Sequence, residues 1–281
     1  MRWLVTGAAG MLGTDLVERL NTAHEVRATR HADLDITDER SVAAAVRDVD
    51  VVVNCAAWTA VDDAETDEAA AFTLNAVGPQ LLARAAHRAG ARMVQISTDY
   101  VFDGSATEPY AEDAPLAPAS AYGRTKGAGE WAVRAESPDH LVVRTAWLYG
   151  AHGGCFPKTM ARLAADRDEL QVVADQVGQP TWTVDVADLV VRLVEAGAPS
   201  GTYHATSGGQ VSWHGFTQRI VAALGKDPAM VRETTSDAFV RPAPRPAYSV
   251  LGHEALERAG VAPIGAWDER WDAAASTVLA G

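Results

Sequence analysis

The chain opens on Arg2-Trp-Leu-Val-Thr6, a short apolar run, and passes without a spacer into Gly7-Ala-Ala-Gly10-Met11-Leu12-Gly13 and an amphipathic stretch through Leu20. A strand, a glycine turn and a helix in immediate succession admit few folds, because the strand needs a parallel neighbour and the helix must cover the sheet. The pattern repeats downstream. Glu25 to Thr29 reads as a second strand, Ser41 to Arg47 as a helix, and the β-branched run Val51 to Ala57 as a strand buried on both faces. A helix over Glu68 to Ala89, a strand over Arg92 to Ser97, a Pro- and Asp-rich loop from Asp103 to Ala119, a helix around Tyr122 and a strand over Leu141 to Thr145 continue the alternation. The expected class is α/β, a doubly wound parallel sheet. Beyond Gly150, helices are expected over Phe156 to Ala165 and Asp185 to Ala196, and a strand near Gly201 to Ala205. The proline-studded segment Ala238 to Ser249 reads as irregular. The expected division is a dinucleotide-binding domain over 1–150, with 182–206 returning to it, and a smaller substrate-binding lobe over the rest of 151–281.

Gly7-x-x-Gly10-x-x-Gly13 stands where the backbone of a Rossmann-type fold approaches a diphosphate and the first helix points its N–H groups at the charge. Met11 and Leu12 belong to the same turn. At the end of the second strand an acid selects a ribose 2'-hydroxyl, whereas a base suits a 2'-phosphate. Here Arg27 and Arg30 are the candidates, so NADPH is expected, with NADH possible. Asp35 and Ile36 are placed to flank the adenine, and Ala56 and Ala57 leave room for the cofactor backbone.

With 24 Lys and Arg against 37 Asp and Glu, the net charge is −13, which repels nucleic acid and anionic membranes. A small anionic ligand needs local cations or backbone donors. No apolar run reaches the ~20 residues of a membrane span. No leader is apparent, and the cysteines, Cys55 and Cys155, suggest a reducing cytoplasm rather than a disulfide framework. The eight histidines show no metal-ligand spacing, so no metal is expected.

Tyr122 and Lys126 lie four residues apart, which stacks a phenol and an ammonium on one helix face. A phenol of pKa ~10 donates a proton poorly unless a fixed positive charge stabilises its phenolate. Ser97-Thr98-Asp99 closes the preceding strand at the sheet edge where ligands bind. Thr98, Tyr122 and Lys126 are therefore expected to converge.

This combination resembles the extended short-chain dehydrogenase/reductase superfamily. Within it, Asn54-Cys-Ala-Ala-Trp-Thr-Ala-Val-Asp-Asp-Ala-Glu65, Ser97-Thr-Asp-Tyr-Val-Phe-Asp-Gly104, Arg144-Thr-Ala-Trp-Leu-Tyr-Gly150, Asp175-Gln-Val-Gly-Gln-Pro-Thr181 and Arg245-Pro-x-x-Ser-x-Leu251 resemble the dTDP-4-dehydrorhamnose reductase family across nearly the whole chain. The resemblance implies hydride delivery to the C4 carbonyl of a dTDP-linked 4-keto-6-deoxy sugar by a monomer or homodimer. Tyr122 is implied as proton donor, Lys126 as holder of the nicotinamide ribose and Thr98 as orienter of the carbonyl. Thr59, Val61, Asp99 and Trp147 match positions that line sugar and cofactor. Arg245, with Lys158 and Arg241 behind it, is the candidate for the sugar's diphosphate. Two departures stand out. Cys155 replaces a common Asn before Phe156, and of the acids that share an interface magnesium in some members only Asp15 matches. Two other readings stay open: a different deoxysugar 4-ketoreductase, and an NADP-binding regulatory subunit without turnover. A 4,6-dehydratase is disfavoured because Tyr100, not Glu, follows Asp99.

Overall fold

The structure, a computed structural model, describes residues 1–280. Strands and helices alternate as β1 (Arg2–Thr6), α1 (Met11–Leu20), β2 (Glu25–Thr29), α2 (Glu39–Ala45), β3 (Val51–Asn54), α3 (Glu68–Phe72), α4 (Gly78–Ala89), β4 (Arg92–Thr98), α5 (Ala121–Glu136) and β5 (His140–Thr145). After α6 (Phe156–Asp166), the chain returns through α7 (Thr183–Glu195) and β6 (Gly201–His204) to the same sheet. The strand order is β6-β5-β4-β3-β1-β2, all neighbours parallel. Strand order reverses between β1 and β3, which opens a crevice at their carboxyl ends.

Alternation along each strand feeds two cores. Trp3 and Val5 of β1 point to the face covered by α1 and α7, where Leu16, Leu189 and Val190 meet Val53, Val94 and Val143. Leu4 points to the other face, with Val52 and Met93, beneath Val42 of α2, Leu82 of α4 and Val133 of α5. All four residues of β3 are buried, as its unbroken β-branched run requires.

α8 (Trp213–Ala223) and α10 (Trp267–Leu279) pack Phe216, Ile220 and Trp271 against Tyr149, and the short α9 (Glu254–Arg258) lies against β6. Leu170–Val173 pairs in parallel with Val231–Thr234, a strand that the sequence pattern does not reveal. Two differences from the sequence reading bear on the crevice. The helix expected over Glu68 to Ala89 is interrupted by a π-turn at Thr73–Val77, and the third strand ends at Asn54 rather than Ala57. Asn54 turns the chain there, since its Oδ1 accepts from Thr6 Oγ1 at 2.6 Å and from the Ala56 N–H at 3.1 Å. Among the described residues no helix is long and apolar enough to cross a membrane.

Candidate active site

The crevice is a cavity of about 760 Å3 whose walls include the glycine turn, the ends of β3, β4 and β5, and α5. Gly7 adopts φ +66°, and a Cβ there would stand 2.5 Å from the Ala56 nitrogen, so only glycine permits this approach of β1 to β3. Gly13 is equally constrained, its Cβ falling 2.3 Å from the Gly7 carbonyl oxygen. Gly10 caps α1 without a side chain, and the first turn carries no acid. The N–H groups at this helix end thus face the cavity uncapped, a cradle suited to a diphosphate. Two buried polar atoms in the cavity wall, Asp99 Oδ2 and Thr145 Oγ1, also have no protein partner. The donor set fits a nicotinamide dinucleotide.

The helix that carries Tyr122 starts at a defined point. Ser120 Oγ accepts from the Gly123 N–H at 3.1 Å, and Glu65 accepts from the Ala121 N–H at 2.7 Å, so two side chains satisfy the open donors of α5. Gly123 lets the helix press on the turn after β4, where a Cβ would fall 2.1 Å from the Tyr100 carbonyl oxygen. Tyr122 is thereby buried to 8% exposure and packed edge-on to Tyr100 at 5.5 Å, with the Thr98 hydroxyl beside its phenol. Lys126 follows one turn later, 4% exposed, and its Nζ donates to the Ile96 carbonyl at 2.7 Å.

Burial decides the protonation states. It raises the Tyr122 phenol well above its usual value, only partly offset by the neighbouring Thr98 hydroxyl, so the phenol holds its proton at neutral pH. It lowers the Lys126 ammonium to about 8, with the Glu130 carboxylate opposing the shift. Asp99 is raised to about 6, chiefly by burial, although Thr98 Oγ1 donates to its Oδ1 at 2.9 Å. The expected depression of the phenol by Lys126 is absent, because the ammonium is turned to the Ile96 carbonyl and desolvation dominates.

Two supports of the site escape the sequence reading. Glu130, fully buried, accepts from Ser97 Oγ at 2.6 Å, from both ends of the Arg144 fork at 2.8 Å and from Arg134 at 2.9 Å. It ties α5 to the strand ends beside Thr98. Asn75, carried on the π-turn, accepts from the Trp58 N–H at 2.8 Å and donates to the Trp58 carbonyl at 3.1 Å and to Thr125 Oγ1 at 3.0 Å. Its amide staples the loop after β3 to the helix between Tyr122 and Lys126. A lone Asn in a helical run gives no sign of this.

Most of the residues singled out from sequence line the cavity. Gly7, Gly10, Met11, Leu12, Gly13, Ile36, Ala56 and Ala57 do so, as do Thr59, Val61, Thr98, Asp99, Tyr122, Lys126 and Trp147. Three do not. Arg30 lies exposed and paired with Asp33 at 3.3 Å, and Asp35 turns outward to accept from Thr37, so His31 and Leu34 form the wall at the end of β2. Arg27 is further off, its guanidinium on the Ala45 carbonyl at 2.6 Å. Arg245 instead lines an adjoining cleft of about 950 Å3 with Arg241, and its guanidinium lies 2.7 Å from Asp62. Lys158 donates to the Ala151 carbonyl at 2.6 Å and lines neither. Cys155, in the place of the expected Asn, offers only a thiol toward the Gly150 carbonyl at 3.7 Å. Asp15 has company that the sequence does not predict, with His152 Nε2 3.4 Å from it and 3.6 Å from Glu18. These three groups are close enough to share a cation, outside the cavity.

A parallel doubly wound sheet with a glycine cradle at its switch point, a hydroxyl at the end of β4 and a Tyr-x-x-x-Lys helix beside it defines an extended short-chain dehydrogenase/reductase. The sequence profile of the RmlD substrate binding domain matches residues 1–279. The chain therefore belongs to the dTDP-4-dehydrorhamnose reductase family, whose members are nicotinamide-dependent oxidoreductases. A relative from Streptomyces antibioticus, a probable dTDP-4,6-dihydroxy-2-methyloxan-3-one 4-ketoreductase, is 52% identical over 95% of this chain and 92% of its own. Among solved structures, a dTDP-4-dehydrorhamnose reductase from Clostridium acetobutylicum is 44% identical with a TM-score of 0.95, covering 98% of this chain and 99% of that one. The dTDP-4-dehydrorhamnose reductase of Bacillus anthracis, solved in complex with NADP, is 36% identical with a TM-score of 0.93, covering 97% of this chain and 98% of that one.

Proposed function

We propose that the protein reduces the C4 keto group of a dTDP-4-dehydro-6-deoxy sugar with NADPH, converting dTDP-4-dehydro-L-rhamnose to dTDP-L-rhamnose. The observation that carries the reading is the gathering of Thr98, Tyr122 and Lys126 in one cavity with the glycine cradle. When bound, the reduced nicotinamide supplies the hydride taken up by the carbonyl carbon. Tyr122 supplies the proton from its phenol to the carbonyl oxygen, and burial keeps that proton in place until it is needed. Thr98, hydrogen-bonded to Asp99 and beside Tyr122, orients the carbonyl oxygen toward the phenol. Lys126 spends one donor on Ile96 and keeps two for the nicotinamide ribose.

His31 in the cavity wall at the end of β2, with no acid lining the cavity there, supports NADPH over NADH. Residues 1–150 with 182–206 then serve the cofactor, and the rest of 151–281 the nucleotide sugar, with Arg245 and Arg241 toward the diphosphate. The free thiols of Cys55 and Cys155 fit a cytoplasmic enzyme. A second reading, another deoxysugar 4-ketoreductase, is favoured by the name of the Streptomyces antibioticus relative and by Cys155. Nicotinamide absorbance followed with dTDP-4-dehydrorhamnose and a panel of other 4-keto sugars decides between them. Replacing Tyr122 by Phe should leave NADPH affinity unchanged and lower turnover by roughly 10²- to 10⁴-fold. Unchanged turnover removes Tyr122 from the acid's role, and no turnover by the unaltered protein with any keto sugar rejects the proposal.

A further inference from the structure

Trp147 leaves β5 with φ +47°, a backbone region that bulky side chains rarely enter. Strain of this kind persists only where the surroundings over-determine it. Here they do so from three sides. The indole lies flat on the indole of Trp213, centroids 3.4 Å apart and planes within 6°, the only Trp–Trp stack among the described residues. Across from it stands Gly178, where a Cβ would fall 2.4 Å from the Trp147 ring. The Trp147 carbonyl accepts from the Thr181 N–H at 3.2 Å.

Trp213 and Gly178 are themselves held in register. Val177 and Gly178 pair antiparallel with Ser212 and Val211, and the Trp213 N–H reaches the Gln176 carbonyl at 3.3 Å. Trp213 also packs on Phe156, centroids 4.2 Å apart, at the start of α6. The two rings have different neighbours: Trp147 lines the catalytic cavity, and Trp213 lines the cleft that holds Arg241 and Arg245. The stacked pair is the partition between the two spaces.

We infer that Trp213 is a positioning residue that sets sugar specificity, by fixing the Trp147 ring as a rigid wall of the catalytic cavity. The inference rests on the proposed function. A keto sugar pressed on that wall is aligned with Tyr122 and Thr98, while its anionic carrier group extends past Trp213 into the arginine-bearing cleft. Loss of the stack frees Trp147 to relax its backbone, and the carbonyl then meets the phenol less often in the productive geometry.

The test begins with turnover of dTDP-4-dehydrorhamnose and dTDP-4-keto-6-deoxyglucose by the unaltered protein; if neither is reduced, the proposed function fails and Trp213 is not in question. Given turnover, Trp213→Leu should lower kcat by roughly tenfold or more and shrink the kcat/KM ratio between the two sugars, with NADPH affinity unchanged. Trp213→Phe, which keeps a ring on Trp147, should recover most of both. The far-ultraviolet circular dichroism couplet of the stacked indoles should vanish in either variant. Gly178→Ala, which pushes on Trp147 from the opposite side and leaves Trp213 in place, should reproduce the kinetic loss. A Trp213→Leu protein with unaltered kcat and unaltered sugar discrimination overturns the inference, as does a Gly178→Ala protein that turns over like the unaltered one.

Discussion

Replacing Arg144 by Met tests how the site is held from beneath. The Arg144 and Glu130 side chains are 1% and 0% exposed, and the guanidinium meets the carboxylate through two bonds of 2.8 Å. Arg144 also donates to the Glu112 carbonyl at 3.1 Å and stands 4.9 Å above the Phe102 ring. Methionine fills much of the volume but leaves a buried carboxylate with only Ser97 and Arg134 as partners. Breaking a buried pair from one side costs about 3–5 kcal/mol, and the two remaining donors place this case near the lower figure. The pH dependence carries a sign. Burial pushes the Glu130 carboxyl up, but Arg144, Ser97 and Arg134 outweigh it and hold the group below its usual value. Its stabilising contribution is therefore present above the unfolded pKa and lost as pH falls through the folded one. Without Arg144 burial prevails, the carboxyl takes up a proton more readily, and the cost of the substitution should shrink between pH 7.5 and pH 5. Urea unfolding followed by tryptophan fluorescence at both pH values measures it. Arg144→Met with Glu130→Gln should recover at least half of the loss. A loss below about 1 kcal/mol at pH 7.5, or one that does not vary with pH, refutes the argument.

Gly7→Ala places a methyl 2.5 Å from the Ala56 nitrogen at φ +66°, so NADPH affinity measured by fluorescence titration should fall at least about tenfold while the melting temperature also drops. Asp99 is raised to about 6 by burial, so its carboxylate costs stability that first appears as pH rises from the unfolded value through 6. Asp99→Asn should accordingly gain on the order of 2 kcal/mol relative to the unaltered protein between pH 4 and pH 7.5, read from thermal unfolding, and an equal gain at both pH values counts against the assignment.

What the sequence discloses is local and repetitive. Val51-Val-Val can only be a strand covered on both faces, and the spacings Gly7-Gly10-Gly13 and Tyr122-Lys126 are one-dimensional records of a turn and a helix face. These suffice for the sheet, the cradle and the reacting centre, since each is built within one strand–loop–helix unit. The rest depends on pairings between distant segments, where the partner is chosen by geometry. Arg144 and Glu130 lie on different elements, and nothing in either neighbourhood distinguishes their pairing from a surface charge with a surface charge. Arg30 shows the converse. Its position at the end of β2 is right for a phosphate, yet its side chain is drawn to Asp33 three residues on, a contact as local as the one predicted and in plain sight. The interrupted helix explains a third case. A π-turn leaves no mark in the apolar period, but it projects Asn75 onto the Trp58 backbone and brings α5 so close that only Gly129 fits beside the Asn75 carbonyl, 2.1 Å from where a Cβ would lie. The glycine was legible and the reason for it was not, because a close approach of two helices is a property of both at once. The same holds for Gly178 and the Trp147 ring, so the residues that set the shape of this cavity are recognised by what a missing side chain allows a distant one to do.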